Sequence, residues 1–349
     1  MGLYLDIEKK LKDITLKVTI NTRGHQGITG ILGASGCGKS MTLKSIAGIV
    51  RPDRGTISLN DRVLFDTDTK TDLKIQDRRA GYLFQNYALF PNMTIRENIQ
   101  IAIRDTARKK SEIADFYLEL MKLKELSDRY PARLSGGQQQ RAALARVLAS
   151  EPEVLMLDEP FSALDAYLKE LLQIELLDIL KTYRGDILLV THNRDEIYRL
   201  CDRIYILDEG RLVASGATKL VFNDPQVVAA ARLTGCKNIG PARKISDHML
   251  EVPGWNLRLK MERPVPDRLT AVGIRAHYLR PVPAAGSNCI ACRWDKILED
   301  PFEITAITGQ GIWWKVSKED WNHQLKRQMP AYLKIPEESI LFLKDQVTG

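Results

Sequence analysis

The most constraining feature of this sequence is a glycine-rich octapeptide that directly follows a short apolar run. The run is Ile28-Thr-Gly-Ile-Leu32, and the octapeptide Gly33-Ala-Ser-Gly-Cys-Gly-Lys-Ser40 matches the phosphate-binding pattern G-x-x-x-x-G-K-[ST]. Its glycines let consecutive backbone N–H groups face a phosphate, and the following helix would present its positive N-terminal end. Lys39 adds a point charge, and Ser40 is placed to hold Mg²⁺. The sequence therefore predicts a strand, a phosphate-binding loop and a helix in succession.

Short apolar runs alternate with longer amphipathic stretches from Leu3 to about Leu233, which is typical of an α/β fold with helices around a sheet. Two of these runs, Val154-Leu-Met-Leu157 and Ile187-Leu-Leu-Val-Thr191, resemble the run before the octapeptide. Near-continuous apolar runs indicate strands that are buried on both faces. Each run ends in polar residues, and ligands of open α/β sheets bind at the carboxyl ends of the strands.

Two domains are expected for a chain of 349 residues. Helical patterning replaces the strand signals after Ile95 and predicts a helical subdomain at about residues 95–145. Glycine and proline become frequent near Gly235, so we place the boundary there, between a domain of residues 1–235 and a β-rich domain of residues 236–349. Short apolar runs between turn residues predict a small β-rich module at about 288–349.

Neither an apolar stretch of about 18 residues nor an N-terminal signal peptide is evident, so we expect a chain that stays in the cytoplasm. A net charge of +7 is compatible with a nucleic acid, an anionic membrane or a nucleotide as partner, and does not choose among them. The five cysteines are scattered, which argues against a disulfide framework. Cys289 and Cys292 form a C-x-x-C pair, but without a second pair or nearby histidines we interpret it as structural.

Polar side chains that suit phosphate chemistry follow three of the predicted strands. Asp158 and Glu159 follow the run that ends at Leu157, and would emerge beside the octapeptide. Asp158 is suited to the Mg²⁺ shell, and Glu159 to deprotonating an attacking water. His192 follows Thr191, and Gln85 follows a short strand-like segment; each alone is a weak signal.

A second glycine-rich segment, Leu134-Ser-Gly-Gly-Gln-Gln-Gln-Arg141, places a serine cap and two glycines at the start of a predicted helix. Helix N-termini of this kind bind anions. Two glycine-rich anion sites in one chain cannot easily act on the same phosphate. A head-to-tail dimer, in which one of the two sites comes from a second copy, resolves this.

The order of these motifs resembles the ATP-binding cassette of ABC transporters. The resemblance rests on GASGCGKS, Gln85, LSGGQQQR, LMLDEP, SALD and His192, and covers about the first 235 residues. It implies an ATPase that binds ATP and Mg²⁺, with Glu159, His192 and Gln85 catalytic and with Ser40, Gln85 and Asp158 at the metal. It further implies nucleotide contacts from Gly33, Ala34, Ser35, Gly36, Cys37, Gly38, Lys39, Ser40 and Met41 of one copy, and from Ser135, Gly136, Gly137, Gln138 and Asp165 at the dimer interface.

The same resemblance extends to partners. The segment Asn86 to Asn98 is similar to the surface with which importer cassettes grip a membrane permease, with Tyr87, Leu89 and Phe90 as its apolar members. The alternative for each of these three residues is packing inside the helical subdomain. A permease and, indirectly, a substrate-binding protein are therefore expected, with the chain peripheral at the cytoplasmic face of the membrane and no nucleic acid partner. The family often stacks adenine on an aromatic residue, but residues 9–14 have none, so Leu11 or Ile14 would take that place.

Arg62-Val-Leu-Phe-Asp66 and Asp77-Arg-Arg-Ala-Gly-Tyr-Leu-Phe-Gln85 most resemble the cassettes of molybdate importers. Sulfate, tungstate, iron and polyamine importers remain alternatives. Importer cassettes of this kind often carry a C-terminal β-barrel module, similar to oligomer-binding barrels, which residues 288–349 would supply. We expect a regulatory role for the domain of residues 236–349. A soluble ABC ATPase that does not take part in transport is a further alternative, although such proteins usually have two cassettes or a long coiled coil.

Overall fold

The computed structural model describes residues 2–25, 27–104, 106–162 and 166–345. The chain divides into two compact units, Met1–Lys219 and Leu220–Gly349. This division precedes the boundary expected near Gly235. The physical reason is that Ala231 and Cys236 share a small apolar core with Ala271 and Leu343, so the residues just before 235 pack with the β-rich part of the chain.

One large sheet organises the first unit. Its strands are β1 (Leu3–Lys10), β2 (Thr15–Asn21), β3 (Ile28–Gly33), β4 (Arg54–Leu59), β5 (Arg62–Asp66), β6 (Thr71–Asp72), β7 (Ala80–Leu83), β8 (Val154–Asp158), β9 (Asp186–Thr191), β10 (Arg203–Asp208) and β11 (Arg211–Ala217). Their order across the sheet is β6-β5-β4-β1-β2-β11-β10-β3-β9-β8-β7. The five strands from β10 to β7 are mutually parallel, whereas β1 pairs with β2 and β4 in antiparallel fashion.

The helices of the first unit are α1 (Lys39–Ala47), α2 (Ile95–Gln100), α3 (Ala107–Leu120), α4 (Gly136–Leu148), α5 (Ala166–Thr182) and α6 (Arg194–Leu200), and α7 (Thr218–Asn223) contains the division between the two units. Helices α2, α3 and α4 follow one another between β7 and β8, in the stretch where a helical subdomain was expected. Thr94 and Glu97 form a capping box that starts α2. The α/β fold class predicted from the sequence is confirmed.

The parallel strands form the core of the first unit. Every residue of β3 and β8 is buried, as is nearly every residue of β9. Apolar side chains on these strands, among them Ile31, Met156 and Val190, pack with α1 residues such as Leu43. Burial on both faces explains why these runs lack the polar alternation of a half-exposed strand.

The second unit is a set of small antiparallel sheets. Its strands are β12 (Asn238–Pro241), β13 (Arg243–Ser246), β14 (Met249–Val252), β15 (Leu257–Lys260), β16 (Ala271–Ile274), β17 (Arg280–Val282), β18 (Cys289–Ala291), β19 (Trp294–Glu299), β20 (Glu303–Thr308), β21 (Trp313–Ser317), β22 (Tyr332–Lys334) and β23 (Leu341–Leu343); its helices are α8 (Val228–Leu233) and α9 (Lys318–His323). They form the sheets β12-β16-β23, β13-β14-β15, β17-β22-β18 and β19-β20-β21.

The stretch from residue 288, expected to be a separate barrel module, pairs with strands that precede it. Strand β22 pairs with β17, and β23 pairs with β16. Trp314 of β21 is buried in the shared core, where its indole N–H donates to the carbonyl of Leu279 at 3.1 Å. The β-rich unit is therefore continuous from Asn238 onward.

Candidate active site

The glycine-rich loop leaves the buried strand β3 at Gly33 and enters α1 at Lys39. A Cβ on Gly33 would lie 2.3 Å from the carbonyl oxygen of Leu207 and 2.5 Å from Sγ of Cys37. Gly38, which caps α1, has φ of +106°, in the left-handed region that favours glycine. Close packing thus requires glycine at position 33, and backbone geometry favours it at position 38.

Lys39 lies buried at the start of α1, with its ammonium directed back over the loop. Its Nζ donates to the carbonyl oxygens of Gly33 at 2.9 Å and Ala34 at 2.8 Å. Neighbouring Cys37 is also buried, and burial raises the pKa of its thiol, although the charge of Lys39 opposes this shift. The loop therefore carries the positive charge of Lys39 beside a neutral thiol.

The candidate catalytic side chains meet at one edge of the sheet. Strands β3, β9, β8 and β7 are consecutive and parallel, so their carboxyl ends lie side by side. After them come the glycine-rich loop, His192, the pair Asp158–Glu159, and Gln85, in that order across the sheet. Residues far apart in the sequence are thus collected along one rim, where open α/β sheets bind ligands.

Asp158 accepts two hydrogen bonds at this rim. Ser40 donates its hydroxyl to Oδ1 at 2.9 Å, and the hydroxyl of Tyr82 donates to Oδ2 at 2.6 Å. Burial, together with this bond to Asp158, raises the pKa of Tyr82 far above its ordinary value, so the phenol remains a donor. Sequence reasoning missed Tyr82; the available signal was a tyrosine within a buried strand, whose hydroxyl needs a partner.

Glu159 and His192 are directly paired. Glu159 has φ of +47°, and its backbone N–H donates to the carbonyl of Val190 at 2.9 Å. Its Oε1 lies 3.0 Å from Nδ1 of His192, which follows β9 and precedes the Asn193 cap of α6. The carboxylate is mostly buried while the imidazole is more than half exposed, so the pair faces outward from the rim.

Gln85 joins the same cluster through Ser162, a residue that the sequence analysis did not single out. Its amide Nε2 donates to Ser162 Oγ at 3.2 Å, and Ser162 in turn donates to the carbonyl of Glu159 at 3.0 Å. Ser162 is the first residue of the SALD motif, and no other sequence signal marks it. Asp165, predicted at the dimer interface, lies outside the described residues.

The second glycine-rich segment forms a complete helix cap. Ser135 is the N-cap of α4; its Oγ accepts from the N–H of Gln138 at 3.4 Å, and the Gln138 side chain accepts from the N–H of Ser135 at 3.0 Å. Ser135 is exposed, whereas Gly137 is buried. Among the described residues, no hydrogen bond connects this segment with the glycine-rich loop of the same chain.

The apolar residues expected to contact a permease are not equally available. Phe90 is 43% exposed and Leu89 is half-buried, but the side chain of Tyr87 is 5% exposed. For Tyr87 the structure favours the alternative of interior packing, because its ring is buried. Leu11 and Ile14, the expected adenine contacts, are half-buried at the tip between β1 and β2, where the N–H of Leu11 donates to the carbonyl of Ile14 at 2.8 Å.

Comparison with known proteins identifies the family of this arrangement. A family model described as "ABC transporter" matches residues 13–162. The molybdenum import ATP-binding protein ModC of Rhodospirillum rubrum is 34% identical over 299 residues, which are 82% of this chain and 81% of the relative. The chain belongs to the ABC transporter family. Since 299 residues exceed the first unit of 219, the match to this ABC protein continues into the second unit.

Other ABC proteins match over a shorter span. The spermidine/putrescine import ATP-binding protein PotA of Oleidesulfovibrio alaskensis is 37% identical over 68% of this chain, but the match spans only 61% of the relative's length. The ATP-binding cassette MJ0796, solved as a dimer in a post-hydrolysis state bound to ADP and Pi, matches with a TM-score of 0.52 and 25% identity. That match covers 62% of this chain and 99% of the cassette. The first unit is an ABC ATPase cassette.

Within residues 2–25, 27–104, 106–162 and 166–345, no helix combines the length and apolarity needed to cross a bilayer.

Proposed function

We propose that this ABC ATPase drives an importer as a homodimer in which two copies, arranged head to tail, enclose ATP between them. The observation that carries the proposal is the collection of the glycine-rich loop, His192, Glu159 and Gln85 along one rim by four consecutive parallel strands. In the dimer, the loop of one copy and the exposed Ser135 cap of the other would hold opposite sides of one nucleotide. Asp165 would contribute at the interface.

Binding of the phosphates would use charge and N–H groups already in place. The ammonium of Lys39 would exchange its two loop carbonyls for phosphate oxygens, which are stronger, charged acceptors. The N-terminal end of α1, capped by Gly38, adds its partial positive charge. Ser135 would act in the same way through the N-terminus of α4.

Hydrolysis would use Glu159 as the base that accepts a proton from the attacking water, with Gln85 orienting that water. His192 would hold the Glu159 carboxylate and contact the γ-phosphate. Because little covalent chemistry is asked of the protein, positioning and electrostatic stabilisation account for most of the rate.

Mg²⁺ fits the donors at this rim. The hydroxyl of Ser40, the carboxylate of Asp158 and the side-chain oxygen of Gln85 are hard oxygen ligands, of the kind that Mg²⁺ prefers. The described residues contain no group of three or more His, Cys, Asp or Glu side chains placed to hold a metal. This sparse donor set suits an ion that takes one carboxylate and completes its shell with phosphates and water. When bound, Mg²⁺ would neutralise charge on the phosphates.

Molybdate is the solute we propose, delivered through a membrane permease and a substrate-binding protein, with this chain peripheral at the cytoplasmic face of the membrane. The support is that, among the relatives compared, the match to ModC of Rhodospirillum rubrum covers the largest share of this chain, 82%, and so extends furthest into the β-rich unit. The matches to relatives named for iron(III) and for polyamine import cover 74% and 68% of this chain. We propose a regulatory role for residues 236–349 on the same ground. Other relatives are named for polyamine, iron or sulfate/thiosulfate import, so these solutes and tungstate are alternatives.

The test is the ATPase rate of the transporter reconstituted with its permease, measured with molybdate, tungstate, sulfate, iron(III) and spermidine, each with its binding protein. We expect stimulation by molybdate. Stimulation by spermidine, iron or sulfate alone would replace the proposed solute, and a rate indifferent to all of them would favour an ABC ATPase outside transport.

A further inference from the structure

The chain turns sharply just after Gln85, and two consecutive residues of the turn have left-handed backbone. The φ angles are +60° at Tyr87 and +48° at Ala88. This conformation is costly for residues with a Cβ and unusual for a bulky tyrosine. Such a turn persists only where the surroundings hold it, and it is a reason to look for a function.

Arg146, on the last turns of α4, holds this turn. Its guanidinium donates to the carbonyl oxygen of Ala88 at 2.8 Å and to that of Tyr87 at 3.1 Å. It also lies over the ring of Phe90, 5.3 Å from the centroid. The planar fork of one arginine thus fixes both left-handed residues. Asn98 secures the far side of the segment by bonding both the N–H and the carbonyl of Phe90.

The turn adjoins the catalytic rim. Gln85 lies two residues before Tyr87, and its amide donates to Ser162, which donates to the carbonyl of Glu159. A change in the backbone at Tyr87 and Ala88 would therefore move the Gln85 amide relative to the proposed base.

Helix α4 connects this clamp to the second phosphate site. Ser135 caps the helix, and Arg146 follows eleven residues later, about 16 Å along a rigid helix at ~1.5 Å per residue. A displacement of the cap, caused by a nucleotide held on the partner copy, would thus be carried to the turn beside Gln85.

We propose that Arg146 is a positioning residue for ATP hydrolysis. It clamps the Tyr87–Ala88 turn, sets Gln85 against Ser162 and Glu159, and makes α4 the link between the cap at Ser135 and the catalytic rim of the same chain. The proposal rests on the proposed function, because it takes Gln85 and Ser135 to act on ATP.

Arg146→Lys in the full-length chain tests the clamp. Lysine keeps the charge but cannot donate from a planar fork to two carbonyls. We expect kcat to fall about tenfold or more, since a small displacement of a positioned group costs this much. The KM for ATP should stay within about twofold of wild type, and the Mg²⁺ concentration at half-maximal rate should rise, because Gln85 rather than the glycine-rich loop is displaced.

A second substitution separates positioning from general stability. Ala88→Gly, at an exposed site, should restore much of the lost kcat of Arg146→Lys, because glycine adopts φ of +48° without the steric cost. The matched control is Glu209→Gly, which relieves a similar φ of +45° at an exposed turn between β10 and β11. It should not restore kcat.

The proposal is supported if Ala88→Gly restores the kcat of Arg146→Lys and Glu209→Gly does not. Unchanged kcat in Arg146→Lys, no rescue, or equal rescue by both glycines would overturn it. These outcomes are measured relative to a wild-type chain that hydrolyses ATP. If the proposed function is wrong, the wild-type chain itself will lack ATPase activity. If only the role of Arg146 is wrong, the wild-type chain will be active and the variants will not behave as expected.

Discussion

Oε1 of Glu159 lies 3.0 Å from Nδ1 of His192, and the two residues follow adjacent parallel strands, β8 and β9. Because both strands are buried and in register, the distance between these side chains is set by the sheet. The Glu159 N–H bond to Val190 fixes it further. The sheet thus places the proposed base beside its partner.

Glu159→Gln removes the proposed base while keeping its size. We expect kcat for ATP hydrolysis to fall about 10²–10⁴-fold, which is the usual contribution of a positioned base. ATP binding should persist because Lys39 and the loop are untouched, and the variant should accumulate as an ATP-bound dimer in size-exclusion chromatography. Glu170→Gln is the control, since Glu170 is exposed and forms a surface ion pair with Arg199. Wild-type turnover in Glu159→Gln would refute the assignment of the base.

Tyr82→Phe removes the hydroxyl that donates to Asp158. We expect the free energy of unfolding to fall by about 1–2 kcal/mol, because a buried hydrogen bond to a carboxylate is lost. The Mg²⁺ concentration at half-maximal ATPase rate should also shift, since Asp158 loses one of two donors.

Tyr205→Phe provides the matched control for this change. The buried Tyr205 hydroxyl donates to the carbonyl of Asn21 at 2.8 Å, away from the catalytic rim. Its loss should lower stability by a similar amount without altering the Mg²⁺ dependence. If both variants shift the Mg²⁺ dependence equally, Tyr82 has no specific role at Asp158.

Cys292 should show the pH dependence of a half-buried thiol with a raised pKa. Burial raises its pKa to about 11, so its alkylation rate in the folded chain should rise about tenfold per pH unit from pH 8 to 10, because the thiolate is the nucleophile. In denaturant, where the pKa returns to about 8.5, the rate should level off near pH 9. The folded pKa exceeds the unfolded value, so the contribution to stability is complete below about pH 8.5 and declines as the pH rises toward 11.

Mass spectrometry of iodoacetamide adducts measures these rates. A plateau at pH 9 in the folded chain would contradict the burial effect. Cys289 and Cys292 should also both remain free thiols, since three residues of extended chain separate their Cα atoms by about 10 Å, too far for a disulfide.

The rim of the sheet could be predicted because each of its members follows a buried strand. The runs before Gly33, Asp158 and His192 have the apolar composition of strands covered on both faces, and parallel strands place their carboxyl ends together. The order of the motifs along the chain is sufficient to indicate the ABC transporter family.

The contacts of the turn at Tyr87 and the strand pairing of the second unit could not be predicted. The burial of Tyr87 depends on a left-handed turn held by Arg146, which lies on a helix some sixty residues further along the chain. In the second unit, β16 pairs with β12 on one side and with β23 on the other. These strands are short and show little periodicity. The local sequence pattern therefore predicted strands in this region, but not which residues belong to the second unit.

In the proposed dimer, each ATP site is formed by residues of two copies. A mixture of two inactive variants tests this most directly. One variant is Lys39→Ala, which lacks the phosphate-binding ammonium. The other is Ser135→Asp, because aspartate still caps α4 but places a negative charge beside the phosphate. Ser135→Asn, a neutral cap, is the control and should retain far more activity than Ser135→Asp.

In a head-to-tail dimer of the two variants, one site carries both defects and the other is intact. Random pairing makes about half of the dimers mixed, so we predict that the equimolar mixture regains about a quarter of wild-type ATP hydrolysis, although each variant alone is nearly inactive. A mixture no more active than the average of the two separate variants would contradict the shared site.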